Sequence, residues 1–213
     1  MLCWWIGPRS GCQHNGHDYF GIDLRDEQVK ANQENARQIG VKNAQWVADD
    51  SLNVDQYLKD ESQDMVFTCP PYADLEVYSD DDRDISNMDY QQFVGTYQKI
   101  IEHAVNKLKP NRFAIVTISD VRDKKGFYHD LQSATTQAME NAGAYLYNDM
   151  VLINANGSGG MRARRNMRNR KTVRSHQNVL VYFKGNPKEI QSEFSELHDI
   201  NDVLEAYEDA EEI

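Results

Sequence analysis

Thr68-Cys69-Pro70-Pro71-Tyr72 is the stretch whose residue types are best suited to chemistry. Consecutive prolines remove two backbone donors and fix two φ angles, so the carbonyls around them stand without competing N–H groups. Pro70 also forces Cys69 into an extended conformation. An aromatic ring beside such carbonyls can stack on a flat heterocycle while they accept hydrogen bonds from its exocyclic amine. Two acidic positions have simpler uses. Asp23 can accept both hydroxyls of a ribose or serve as a charge before a helix N-terminus. Asp49-Asp50-Ser51 can contact an adenine ring or cap the next helix.

These residues need elements that bring them to one place, and periodicity supplies them. Short apolar strands alternate with helical patterns, the signature of a parallel α/β sheet with crossover helices. Strands are expected over Tyr19–Ile22, ending at Asp23, near Gln45–Ala48, and over Asp64–Thr68, Arg112–Ser119, Tyr145–Ile153 and Asn178–Phe183. Helices are expected over Asp26–Ile39 with Gly40 closing it, near Val54–Lys59, and over Tyr90–Leu108 and Phe127–Asn141. Asp23, Asp50 and Cys69 then all follow strands. In an open α/β sheet the ligand crevice lies outside those carboxyl ends. The acidic insert from Asp74 to Asp89 is positioned to form a lid.

The 213 residues suit one α/β domain, and 23 Lys+Arg against 34 Asp+Glu give a net charge of -11. That average argues against nucleic acid as a partner. Its distribution argues the other way. Arg162, Arg164, Arg165, Arg168, Arg170, Lys171 and Arg174 follow one another without an acid, after the flexible lead-in Asn156-Gly157-Ser158-Gly159-Gly160. This composition reads as a mobile basic loop. Ten acids without a Lys or Arg occupy Glu189–Ile213, where Leu197, Ile200, Val203 and Leu204 form one apolar stripe at helical spacing. No apolar run reaches the length of a membrane span, Met1–Gly7 is unlike a signal peptide, and three cysteines make no disulfide framework. A soluble, cytoplasmic protein is the expectation.

With these motifs in order, the chain resembles the S-adenosylmethionine-dependent DNA amino-methyltransferases that modify N6 of adenine or N4 of cytosine. The resemblance runs from Tyr19-Phe20-Gly21-Ile22-Asp23 through Thr68-Cys69-Pro70-Pro71-Tyr72 to His176-Gln177-Asn178-Val179-Leu180-Val181-Tyr182-Phe183-Lys184-Gly185. It implies a class I methyltransferase fold, Rossmann-like, with a mostly parallel sheet, an antiparallel last strand and helices on both faces. It implies Asp23 on the cofactor ribose, Asp50 or Asp49 on the adenine ring, Thr68 among the cofactor contacts, and Cys69, Pro70, Pro71 and Tyr72 around the target amine. The target base would be flipped out of the duplex and stacked on Tyr72. The basic stretch gains a use on DNA phosphates. The family usually has Asp, Asn or Ser where this chain has Cys69, and a thiol is a weak acceptor. Cys69 as a nucleophile on C5 of cytosine fits less well, since that chemistry resembles a Pro-Cys order.

The N-terminus departs from the pattern. The family has a central strand followed by a glycine-rich turn, and residues 1–18 leave only Leu2–Ile6 and Gly7–Gly11 to supply them. A one-base shift turns the TGG codons of Trp4-Trp5 into Gly-Gly, which points to a frameshift or truncation upstream and a degenerate cofactor motif. Residues 19–186 are then the methyltransferase domain and 187–213 an acidic helical tail. Two other functions stay open: a non-catalytic DNA-binding or interaction remnant, and an N-methyltransferase acting on RNA or a protein amide. Cys3, Cys12, His14 and His17 have irregular spacing, and no metal is expected.

Overall fold

The computed structural model describes residues 17–72, 77–154 and 159–194. Strands β1 (Tyr19–Asp23) and β2 (Ala44–Ala48) pair in parallel, joined by helix α1 (Asp26–Gln38). Asp26 and Glu27 in the first turn and Arg37 in the last complement the helix dipole. The helix closes at Gly40, whose φ of 76° suits glycine, while the Val41 N–H donates to the Ala36 carbonyl at 2.8 Å. Val29 and Ala36 pack on Trp46, and the rings of Tyr19 and Trp46 lie 5.2 Å apart. Gly21 is needed beneath them: a Cβ there would lie 2.8 Å from the Trp46 ring.

The second ladder holds β3 (Gln63–Thr68), β4 (Leu108–Ile118), β5 (Tyr145–Ile153) and β6 (His176–Lys184) in the order β3-β4-β6-β5. β3 and β4 are parallel, and β6 runs antiparallel to both of its neighbours. Helix α2 (Tyr90–Lys107) opens with a capping box between Asp89 and Gln92 and buries Phe93, Tyr97, Ile100, Ile101, Ala104 and Val105. With α3 (Leu131–Asn141) it covers one sheet face, where Val66, Ala114, Val116, Leu180 and Tyr182 join a single core. Ile22 of β1 belongs to that core too, so the two ladders share an interior, though among the described residues no strand pairs one with the other. Helices lie on both sides: α1 packs against Trp46, and α2 and α3 sit over the common core.

Several boundaries differ from the sequence expectation. Ser51–Gln56 is a 3-10 helix, not an α-helix over Val54–Lys59, because Asp50 caps Leu52 and the turn closes on the Tyr57 N–H. α3 starts at Leu131 and not Phe127, since Arg122 bridges Tyr128 and the Asp123 carboxylate holds the Phe127 N–H at 2.8 Å. α2 stops one residue early, and Leu108 already belongs to β4. Pro110 and Asn111, the latter with φ 56°, form an irregularity before the regular pairing begins at Met65 and Phe113. The basic stretch, expected as a mobile loop, begins as helix α4 (Gly159–Met167). After β6, a 3-10 turn (Pro187–Glu189) and the one-turn helix α5 (Ile190–Glu193) end the described chain.

Candidate active site

Strand register brings the motif-bearing loops together. Thr68 pairs with Val116, Ile118 with Asn178, and Ile153 with His176. The turn after β3, the chain after β4 and the α4 connection therefore leave the ladder at one end. In the other ladder Asp23 pairs with Ala48, and the Asp49 N–H donates to the Asp23 carbonyl at 3.0 Å.

Asp23 is buried, and its Oδ1 accepts the Arg25 N–H at 2.9 Å. The next strand end separates its two carboxylates. Asp49 is occupied within the fold, accepting from the Asp50 N–H at 2.7 Å, from Asn53 Nδ2 at 3.0 Å and from the Tyr57 hydroxyl at 2.7 Å. The Tyr57 hydrogen bond, foremost, holds the Asp49 carboxyl below the usual carboxylate range. Asp50 caps Leu52 and also lines a small crevice with Leu24, Arg25, Ser51, Arg83 and Ile85.

Arg83 was not singled out by the sequence, because only the fold carries its loop to this crevice. From Tyr78 onward the acidic insert is a hydrogen-bonded wall. Buried Asp84 accepts from the Ser79 hydroxyl at 2.8 Å, the Ser86 N–H at 3.0 Å and the Ser86 hydroxyl at 2.8 Å. Ile85 is part of the core. Residues 73–76 of that insert lie outside the described residues.

At the end of β3, Thr68 is fully buried, and Pro70 and Pro71 are buried behind it. Cys69 is half-buried, with Sγ 3.9 Å from the Tyr72 hydroxyl. Burial pushes the thiol up, with the Tyr72 contact opposing it in part, so Cys69 is a neutral thiol near pH 7. A neutral, half-buried thiol is a poor nucleophile, which argues against attack on C5 of cytosine. Tyr72 rests its ring on the core.

At the same end of the sheet Arg162, Arg164, Arg165, Arg168 and Arg170 line the basic stretch, all five exposed, while Lys171 and Arg174 beyond them are half-buried. Arg174 donates to Asn178 at the start of β6, and the Lys171 ammonium lies over Gly126. The basic stretch is thus anchored at its C-terminal end and open along α4. Residues 1–16, including the proposed first strand, the glycine turn, Cys3, Cys12 and His14, lie outside the described residues. Among the described residues no group of His, Cys, Asp or Glu could hold a metal, and no helix is long and apolar enough to cross a membrane.

Known proteins give this geometry a context. The family model for N6/N4 methyltransferases, described as DNA methylase, matches residues 63–212. No curated protein matches the chain. Among solved structures, PvuII DNA methyltransferase, cytosine-N4-specific, is 19% identical with a TM-score of 0.50, over 64% of this chain and 47% of that one. TrmN from Thermus thermophilus is 12% identical with a TM-score of 0.51, over 78% of this chain and 36% of that one. TTHA0409, also from Thermus thermophilus, is 13% identical with a TM-score of 0.49, over 85% of this chain and 61% of that one. The chain thus spans about three fifths of the length of TTHA0409. At these identities the likeness to PvuII methyltransferase and TrmN shows the α/β methyltransferase fold.

Proposed function

Because this chain belongs to the N6/N4 DNA methylase family, we propose that it transfers a methyl group from S-adenosylmethionine to the exocyclic amine of adenine (N6) or cytosine (N4) in DNA. The observation that carries this reading is the rigid Cys-Pro-Pro-Tyr turn at the end of β3, in a fold whose other strand ends carry Asp23 and Asp50.

The residues fit the cofactor. Asp23 is a buried carboxylate at a strand end, suited to ribose hydroxyls, and Asp50 lines the crevice beside Leu24 and Ile85. When bound, S-adenosylmethionine supplies an electrophilic methyl group on a sulfonium. The chain's own residues hold the amine against it. Tyr72 offers a ring for the flipped base, and the prolines leave carbonyls free to accept the amine protons, which turns the nitrogen lone pair out of the ring. Cys69, as a neutral thiol, accepts weakly, so the carbonyls carry most of this task. No covalent enzyme intermediate is involved, and positioning supplies much of the rate.

DNA is the partner favoured by the arginines of α4 at the same end of the sheet, which offset the acidic body. They also favour nucleic acid over a protein amide. A DNA substrate puts the enzyme in the cytoplasm. Calorimetric titration of the chain with S-adenosylmethionine tests the reading: saturable one-to-one binding, weakened by Asp23→Asn, is expected. No heat at millimolar cofactor overturns it for this chain and favours a non-catalytic DNA-binding remnant.

A further inference from the structure

The sheet β3-β4-β6-β5 has one face beneath α2 and α3 and one face without a helix among the described residues. Pairing fixes the membership of the open face. Phe113 stands opposite Phe183, Ile115 opposite Val181, and Met150 opposite Val179. The Tyr147 ring lies 6.0 Å from both Phe113 and Phe183. Large apolar groups are left in the open: Tyr145 is 60% exposed, Met150 51%, Leu152 48% and Met65 48%. Val181 and Phe183 on the same face are buried, at 7% and 2%, so the exposed groups flank a covered strip, and exposed apolar surface of this size normally has something covering it.

The course of the chain indicates the cover. After β6 the backbone turns onto this face. Asn111 Nδ2 donates to Glu189 at 2.6 Å, Arg112 pairs with Glu193 at 2.9 Å, and the Phe194 ring lies 5.4 Å from Phe113 with the Arg112 guanidinium over it. The described chain ends at Phe194, already seated on the patch, with 19 residues to follow. As a helix those residues would reach about 28 Å. β4 and β5 are only about 10 Å apart across β6, so the reach is ample. Leu197, Ile200, Leu204 and Tyr207 recur at helical spacing, with acids between them.

We propose that the C-terminal segment 195–213 docks its Leu197-Ile200-Leu204 stripe on the open face of β4, β6 and β5, continuing from Phe194. The acids of the segment then face solvent, and the helix-free side of the sheet is closed by the chain's own tail. This inference is independent of the proposed methyl transfer and is tested without it.

Hydroxyl-radical footprinting of the full chain reads the side chains directly. Tyr147 and Met150 are expected to oxidise several-fold more slowly in the full chain than in a chain ending at Phe194. The full-length double variant Leu197→Asp/Leu204→Asp should match the shortened chain. Phe127, 71% exposed on the turn before α3, serves as an internal control and should label equally in all three, reporting an intact fold. Equal labelling of Met150 and Tyr147 in all three proteins overturns the proposal. Protection that survives both changes also overturns it: if it rises with protein concentration a second copy covers the face, and if it does not another segment does.

Discussion

The Cys69 thiol and the Tyr72 hydroxyl approach to 3.9 Å across the two prolines of their turn. The contact ties the thiol to the tyrosine ring, the two groups proposed to hold the target base, with buried Pro70 and Pro71 between them. Burial raises the thiol pKa, and the tyrosine contact lowers it in part. Cys69 should therefore stay protonated above the ordinary thiol value of about 8.5. Alkylation followed by mass spectrometry should show the Cys69 peptide reacting more slowly at pH 8.5 than a thiol in a short peptide, and more slowly still in Tyr72→Phe. Reaction at the free-thiol rate would contradict the burial argument.

Replacing the thiol with a true acceptor should help catalysis. A hydrogen bond to an ionised group contributes about 1.5–3 kcal/mol, so Cys69→Asp is expected to raise single-turnover methyl transfer by roughly tenfold or more. Cys69→Ala should change it little, because the proline carbonyls remain. A large loss in Cys69→Ala would mean that the thiol itself is required.

In the proposed reaction Tyr72 is the ring on which the flipped base stacks. Base stacking on an aromatic ring contributes about 1–3 kcal/mol, so Tyr72→Ala should weaken binding of single-stranded or abasic-opposed target DNA by roughly 5- to 100-fold. Tyr72→Phe should keep most of it. Equal affinity in the alanine variant would remove Tyr72 from base recognition.

The basic helix should be visible in the salt dependence. Each phosphate neutralised contributes about -0.9 to the slope of log K against log salt. Changing Arg162, Arg165 and Arg168 together to Ala should flatten that slope by about 2.7. The melting temperature should stay unchanged, since Arg162, Arg165 and Arg168 are exposed. An unchanged slope would assign the basic stretch to solvent.

Stability should fall at acid pH through Lys107. Its ammonium is nearly buried at the end of α2 and pairs with Asp55 at 2.5 Å and with Asp60. Burial alone would pull the lysine pKa down, but the two carboxylates offset this and hold it above its ordinary value. The Lys107 hydrogen bond, foremost, holds the Asp55 carboxyl below its ordinary value. A depressed carboxylate stabilises above the unfolded pKa of about 3.9 and loses that contribution as pH falls through the folded value. A raised lysine stabilises below about 10.4 and loses its contribution as pH rises through its folded value. Lys107→Met should therefore flatten the fall in melting temperature below about pH 4.

Much of this could be read in the sequence where one residue type has one use. Gly40 ended its helix, the Pro-Pro pair ended β3, and the strand expected over Tyr145–Ile153 matched β5 at both ends. Reading failed where tertiary partners decide. Asp49 and Asp50 are equal in sequence, and only Tyr57 and Asn53 draw Asp49 away from the crevice. The glycine-led basic stretch looked like a loop, yet α4 begins within it at Gly159. Arg83 carried no sequence signal, because its place beside Asp50 depends on buried Asp84 and Ile85 folding the acidic insert back.

The central claim is amine methylation of DNA, and the direct measurement is transfer of label from methyl-labelled S-adenosylmethionine to unmethylated DNA, followed by nucleoside analysis. The account predicts label in N6-methyladenosine or N4-methylcytidine deoxynucleosides, lost in Tyr72→Ala. Label in 5-methyldeoxycytidine, or DNA left unlabelled by a chain that binds the cofactor, would contradict it.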